Sequence, residues 1–184
     1  MKRDRKQIRL KNYDYSKPGL YYVTICTQNR ECIFGDIVVG VGRDRPSLIR
    51  PCYQPVSMIL NQYGKIIKNI WESLPDHHSV ELDAFQIMPN HVHFIIGIIM
   101  GASQTGRSRP TPTLGTIVGL FKSECTKRLR IVGATRGSPW QRNYYEHVIR
   151  NENELIKIRE YIKNNPLSWN TDVNNPTEIC LNRP

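Results

Sequence analysis

No apolar stretch in this chain approaches the ~20 residues needed to cross a bilayer. The first residues, Met1 to Lys11, are charged and lack the apolar core of a secretion signal. A cytoplasmic location with no membrane partner is therefore expected. Cysteine is sparse: Cys26, Cys32, Cys52, Cys125 and Cys180 are scattered, odd in number and never spaced C-x-x-C. That argues against a zinc knuckle or a dithiol redox centre and predicts reduced, structural thiols. Internal repeats and interdomain linkers are also lacking, so one domain is expected over residues 1–184. Within it, a basic N-terminal arm covers about residues 1–17 and a polar tail, packed loosely or wrapped on the surface, covers about 167–184.

Acidic residues are few as well, 16 against 26 Lys and Arg, for a net charge of +10. The excess is uneven. Residues 1–50 carry 11 basic and 5 acidic side chains and residues 101–150 carry 9 and 2, whereas 51–100 are net −2 and 151–184 net −1. Two positive blocks suit a polyanion, which would bind with release of counterions.

Leu20 to Thr27 is rich in β-branched and aromatic residues and follows Pro18-Gly19, which predicts a first strand. Residues 36–54 mix Gly, Pro and Arg in the manner of a loop. From Pro55 to Leu74 apolar residues recur every three or four positions, which predicts an amphipathic helix that tolerates Gly64. Val80–Met88 and His91–Ile99 read as strands joined by a tight Met88-Pro89-Asn90 turn. After a polar, basic loop at 100–113, Leu114–Ile131 reads as a second helix. Trp140–Ile149 reads as a fourth strand. A last helix opens at the capping-box-like Asn151-Glu-Asn-Glu154 and stops before Pro166. The order β-α-β-β-α-β predicts an α+β, ferredoxin-like antiparallel sheet with helices on one face, plus a C-terminal helix.

The chemistry-bearing residues fall late in this order. Alternation points His91 and His93 to one face and Val92 to the other. Two imidazoles ~7 Å apart along a strand can converge on a metal ion, although such a pair taken alone is more often structural. Gly97 shares their face and leaves room for a close approach or for simple packing. On the last helix, Tyr161 and Asn165 are spaced i, i+4 and share a face. A packing tyrosine and a helix-terminal asparagine explain them as well. Tyr145 and His147 share a strand face, where His147 suits a metal, a phosphate or a purely structural place.

Met88-Pro-Asn-His-Val-His-Phe94 resembles the signature of the single-tyrosine HUH transposases, with Val92 as the bulky apolar residue. More narrowly, the chain resembles the REP-associated tyrosine transposases and their insertion-sequence relatives. Ile8–Tyr15, Tyr22–Arg30, Trp140–Arg150 and Glu160–Pro166 fit in the same order, so the likeness spans about residues 8–169. It implies metal-dependent cleavage and strand transfer of single-stranded, hairpin-bearing DNA. Tyr161 would be the nucleophile and would carry a 5′-phosphotyrosine intermediate. His91 and His93 would hold Mg²⁺ or Mn²⁺, with Asn165, where some relatives have Gln, as third ligand.

Tyr144 is the rival nucleophile if the register is shifted. Tyr145 and His147 would be accessory. Lys2, Arg3, Arg5, Lys6 and Arg9, Arg107 and Arg109, and Lys122, Lys127, Arg128 and Arg130 would track the DNA backbone. Members act as monomers or as homodimers that exchange the tyrosine helix, and the short joint before the last helix leans towards Tyr161 serving its own subunit. Rival readings are a replication-initiator or relaxase-like nickase, a catalytically silent hairpin-binding protein and, last, a hydrolytic zinc enzyme.

Overall fold

Alternating side chains sort the central sheet into two faces, each with its own helical cover. A computed structural model describes residues 13–15, 17–39, 56–99 and 112–176. Strand β1 (Gly19–Cys26) pairs antiparallel with both β5 (His91–Ile98) and β6 (Tyr145–Ile149), and β5 pairs with β4 (Val80–Met88). The sheet order is β4-β5-β1-β6. Tyr21, Val23 and Ile25 of β1, with Val92, Phe94, Ile96 and Ile98 of β5, face the main core. Helices α1 (Gln62–Glu72) and α3 (Leu114–Ile131) cover that side through Ile67, Trp71, Ile117, Phe121 and Leu129. Helix α4 (Glu152–Asn164) covers the other side, where Leu155 and Ile162 pack on Tyr22, Ile95 and Ile149. Both faces of β5 are thus buried, as its nearly continuous apolar sequence requires.

Several elements depart from the sequence expectations. Residues 36–54 are not all loop, because Gly35–Val39 (β2) pairs with Val56–Leu60 (β3) as a separate two-stranded ribbon. Helix α1 therefore begins at Gln62, not Pro55. Val56, Met58 and Leu60 alternate inward, and the Asn61 side chain caps the helix by accepting from the Tyr63 and Gly64 amides. Gly64 is required by close approach: a Cβ there would sit 2.3 Å from the Phe34 carbonyl oxygen. Pro75 does not simply end α1 but lies in the first turn of a short helix, α2 (Leu74–His77).

The fourth strand is shorter than Trp140–Ile149. Trp140 makes only an isolated bridge to Thr27, and regular pairing starts at Tyr145. The start of the tail is ordered: Asn165–Thr171 forms a 3₁₀ segment with Trp169 buried. Cys32 is disulfide-bonded, against the expectation of reduced thiols, while Cys26 and Cys125 are free.

Helix α4 has its own N-terminal cap and is tied to the sheet at two places. Asn151 caps it by accepting from the Glu154 amide. Glu154 in turn takes the Arg150 amide and His147 Nε2, at 2.8 and 2.6 Å. Midway along, Arg159 makes a forked bond to Asp83, in the register irregularity of β4 between Leu82 and Phe85.

Candidate active site

Strand β5 delivers His91 and His93 to the α4 side of the sheet, both almost wholly buried. Their Nε2 atoms lie 2.9 Å apart. Asn90 defines the protonation of His91. Its amide nitrogen donates to the Arg30 and Asn174 carbonyls, at 3.0 and 2.7 Å, so its oxygen faces His91 Nδ1 at 2.8 Å. That oxygen can only accept, so His91 carries its proton on Nδ1 and presents a bare Nε2. His93 Nδ1 meets Thr24 Oγ1 at 2.8 Å and the Tyr22 hydroxyl at 2.9 Å. A hydroxyl donates or accepts, so this pair suits either neutral tautomer of His93. Burial holds both imidazoles neutral, with pKa values pushed down to about 3.

Two oxygen donors approach the facing nitrogens. Asn165, at the end of α4, is 2% exposed, and neither atom of its amide has a hydrogen-bond partner. The group lies near enough to affect the protonation of both His91 and Tyr161. A buried amide left without partners is costly, and a cation between the imidazoles would give its oxygen one. Asp172, just past the 3₁₀ segment, places Oδ2 3.9 Å from His91 Nε2. His91, His93 and Asp172 bring their donor atoms within 4.8 Å of one another.

Tyr161 is half-exposed at 49%, with its ring edge-on to His93 at 5.5 Å between centroids and to Tyr22 at 6.2 Å. Burial, then the charge of Asp172, raises its phenol above the usual range; Asn165 and Tyr22 oppose that rise. It borders a cleft of about 730 Å³ lined also by Tyr22, His93, Tyr145, His147 and Lys157. Its lining mixes aromatic and polar side chains, a combination that suits stacked bases and a phosphate backbone.

The remaining sequence candidates divide. His147 and Tyr145 do face the cleft, but His147 is held by Glu154. Tyr144, just before β6, packs against the main core and lies under Lys122, and it also reaches the edge of the cleft. Lys122 is drawn inward: its ammonium donates to the Gln141 carbonyl at 2.6 Å and to those of Arg142 and Asn143, and burial lowers its pKa to about 8. Lys127 and Arg128 pair with Glu124, and Arg130 donates to the Gly137 carbonyl. Gly97 admits cross-strand neighbours, with Glu81 and Leu20 3.3 Å from the position of a Cβ. Lys2, Arg3, Arg5, Lys6, Arg9, Arg107 and Arg109 lie outside the described residues.

Sequence reasoning missed Tyr22, Thr24, Asn90 and Asp172. The first two were within reach, since Tyr22 and Thr24 share one face of an expected strand. Asn90 read only as a turn residue, and nothing in the polar tail marked Asp172.

A family profile described as Transposase IS200 like matches residues 49–165. An uncharacterized protein of Haemophilus influenzae is 38% identical over 181 residues, covering 91% of each chain. A protein of the same organism named as a REP-associated tyrosine transposase is 22% identical over 165 residues, covering 86% of this chain and 77% of that one. Among solved structures, a REP-associated tyrosine transposase bound to a REP hairpin superposes with a TM-score of 0.51 at 18% identity. That superposition covers 87% of this chain and 73% of the other, and it bears on the fold.

Proposed function

The chain belongs to the IS200-like transposase family, and on that premise we propose that it cuts and rejoins single-stranded DNA through a covalent bond to Tyr161. The observation carrying this reading is the pair of facing histidine nitrogens on the one sheet face that α4 covers, with the Tyr161 ring against His93. His91 and His93 would hold a divalent ion, Mg²⁺ or Mn²⁺, with the Asn165 oxygen beside them. Such an ion, when bound, polarises a phosphate and neutralises its charge.

The residues do the rest. Tyr161 Oη forms a bond to phosphorus and the bond to the 3′ oxygen breaks. The phenol proton is lost and the departing 3′ oxygen gains one, so the step is neutral overall. Raised above its usual pKa, Tyr161 is protonated at pH 7, and its proton must leave as attack proceeds. The Tyr22 hydroxyl and the Asn165 amide favour the developing phenolate. The ester keeps the energy of the broken bond, so a second 3′ hydroxyl can reverse the step without ATP. The Tyr161 ring lies 5.5 Å from that of His93 on its own chain, a contact that favours Tyr161 serving its own subunit.

A covalent-adduct assay tests this. Labelled single-stranded hairpin DNA is incubated with the protein and Mg²⁺ or Mn²⁺, then run on a denaturing gel. The parent and Tyr144→Phe should each give a protein-linked band, and Tyr161→Phe should give none. A band from Tyr161→Phe would remove the assigned nucleophile. Binding with no adduct in either metal would favour a silent hairpin-binding protein.

A further inference from the structure

We infer that Asp172 is a metal ligand, a carboxylate supplied to the histidine pair by the segment that follows the tyrosine helix. This rests on the metal reading of His91 and His93. The two oxygens of Asp172 have different surroundings. Oδ1 accepts from the Asn174 amide at 2.6 Å and folds the chain into a tight turn. Oδ2 is turned the other way, towards His91 Nε2. The side chain is 4% exposed, so its charge is shielded from water with no cationic side chain paired to it among the described residues.

The turn is held in place from three directions. Asn90 donates to the Asn174 carbonyl and orients His91 with its other amide atom. The Arg30 guanidinium donates to the Val173 carbonyl. Trp169 packs its ring against His91, 6.0 Å between centroids. Side chains that fix the histidine therefore also fix the carboxylate. Two neutral imidazoles and an amide oxygen carry no formal charge, and Asp172 would add one negative charge to the set. That change favours hard divalent cations and raises affinity.

Titration of the full-length, metal-free protein with Mn²⁺, following the free-ion electron paramagnetic resonance signal, reads affinity without DNA or turnover. Asp172→Asn keeps an oxygen for the Asn174 amide and so preserves the turn; circular dichroism and the melting temperature of the metal-free protein check this. Asp172→Asn should weaken Mn²⁺ binding about tenfold or more, and His93→Ala should abolish it. Asp172→Asn binding within twofold of the parent, while His93→Ala does not bind, overturns the role of Asp172 and leaves the histidine site standing. A parent that binds no Mn²⁺ overturns both.

Discussion

Asn90 fixes which nitrogen of His91 is bare, and burial keeps both histidines uncharged. In the metal-free protein this makes stability depend on pH. The folded-state pKa values of His91 and His93 lie near 3, against an ordinary 6.5. Between these values the unfolded chain binds protons that the folded chain refuses. Stability is therefore full above about pH 6.5 and falls with acid, with a limiting slope of about 1.4 kcal/mol per pH unit for each histidine. Urea melts in EDTA at pH 7.5 and 5.5 should give a clearly lower midpoint at the acid value, and the difference should shrink in His91→Ala. Equal midpoints would mean that the imidazoles gain protons as freely folded as unfolded.

Helix α4 carries Tyr161 yet sits on a small apolar patch of its own. Leu155 and Ile162 are its buried residues, against many more under α1 and α3. Ile162→Ala should cost about 2–4 kcal/mol by leaving a cavity. Arg159→Ala, at a solvent-screened ion pair, should cost far less than Ile162→Ala. Amides of α4 should exchange with solvent before those of β5, which is buried on both faces. Equal protection would mean that helix and sheet open as one unit.

Helix α4 and strand β5 were among the legible elements, because a capping asparagine, a terminal proline and a continuous apolar run each carry a local physical reason. The β2–β3 ribbon was not. Val56, Ile59 and Leu60 fit helical spacing as well as they fit alternation, and only pairing with β2 decides between them. The histidines and Tyr161 stood out through their flanking motifs. Asp172 reaches the site through a turn set by Asn90 and Asn174, a long-range contact that no local pattern announces.

Across the whole molecule, the net charge of +10 gives a general attraction for DNA. Its cations do not contribute alike. Lys122 is committed to three backbone carbonyls, so Lys122→Ala should lower the melting temperature and leave the salt dependence of hairpin binding unchanged. Lys127 is exposed, in a loose 3.9 Å pair with Glu124. If it meets a phosphate, Lys127→Ala should reduce the slope of log affinity against log salt by roughly 0.7–0.9. Binding titrations at several salt concentrations separate the two. Equal slopes for Lys127→Ala and the parent would place the DNA elsewhere, on the cleft rim or on the positive segments outside the described residues.

One amide side chain joins the loop at Arg30, the histidine strand and the turn beyond α4. Energetically, this makes Asn90 and Asp172 dependent on each other although they share no direct bond. Removing Asn90 frees the turn that aims Asp172, so a second change at Asp172 should then matter less. A double-mutant cycle of Asn90→Ala and Asp172→Ala, which removes the acceptor for the Asn174 amide, read in unfolding free energy, should show a coupling of about 0.5–3 kcal/mol. Strict additivity would mean that the strand and the turn are anchored independently.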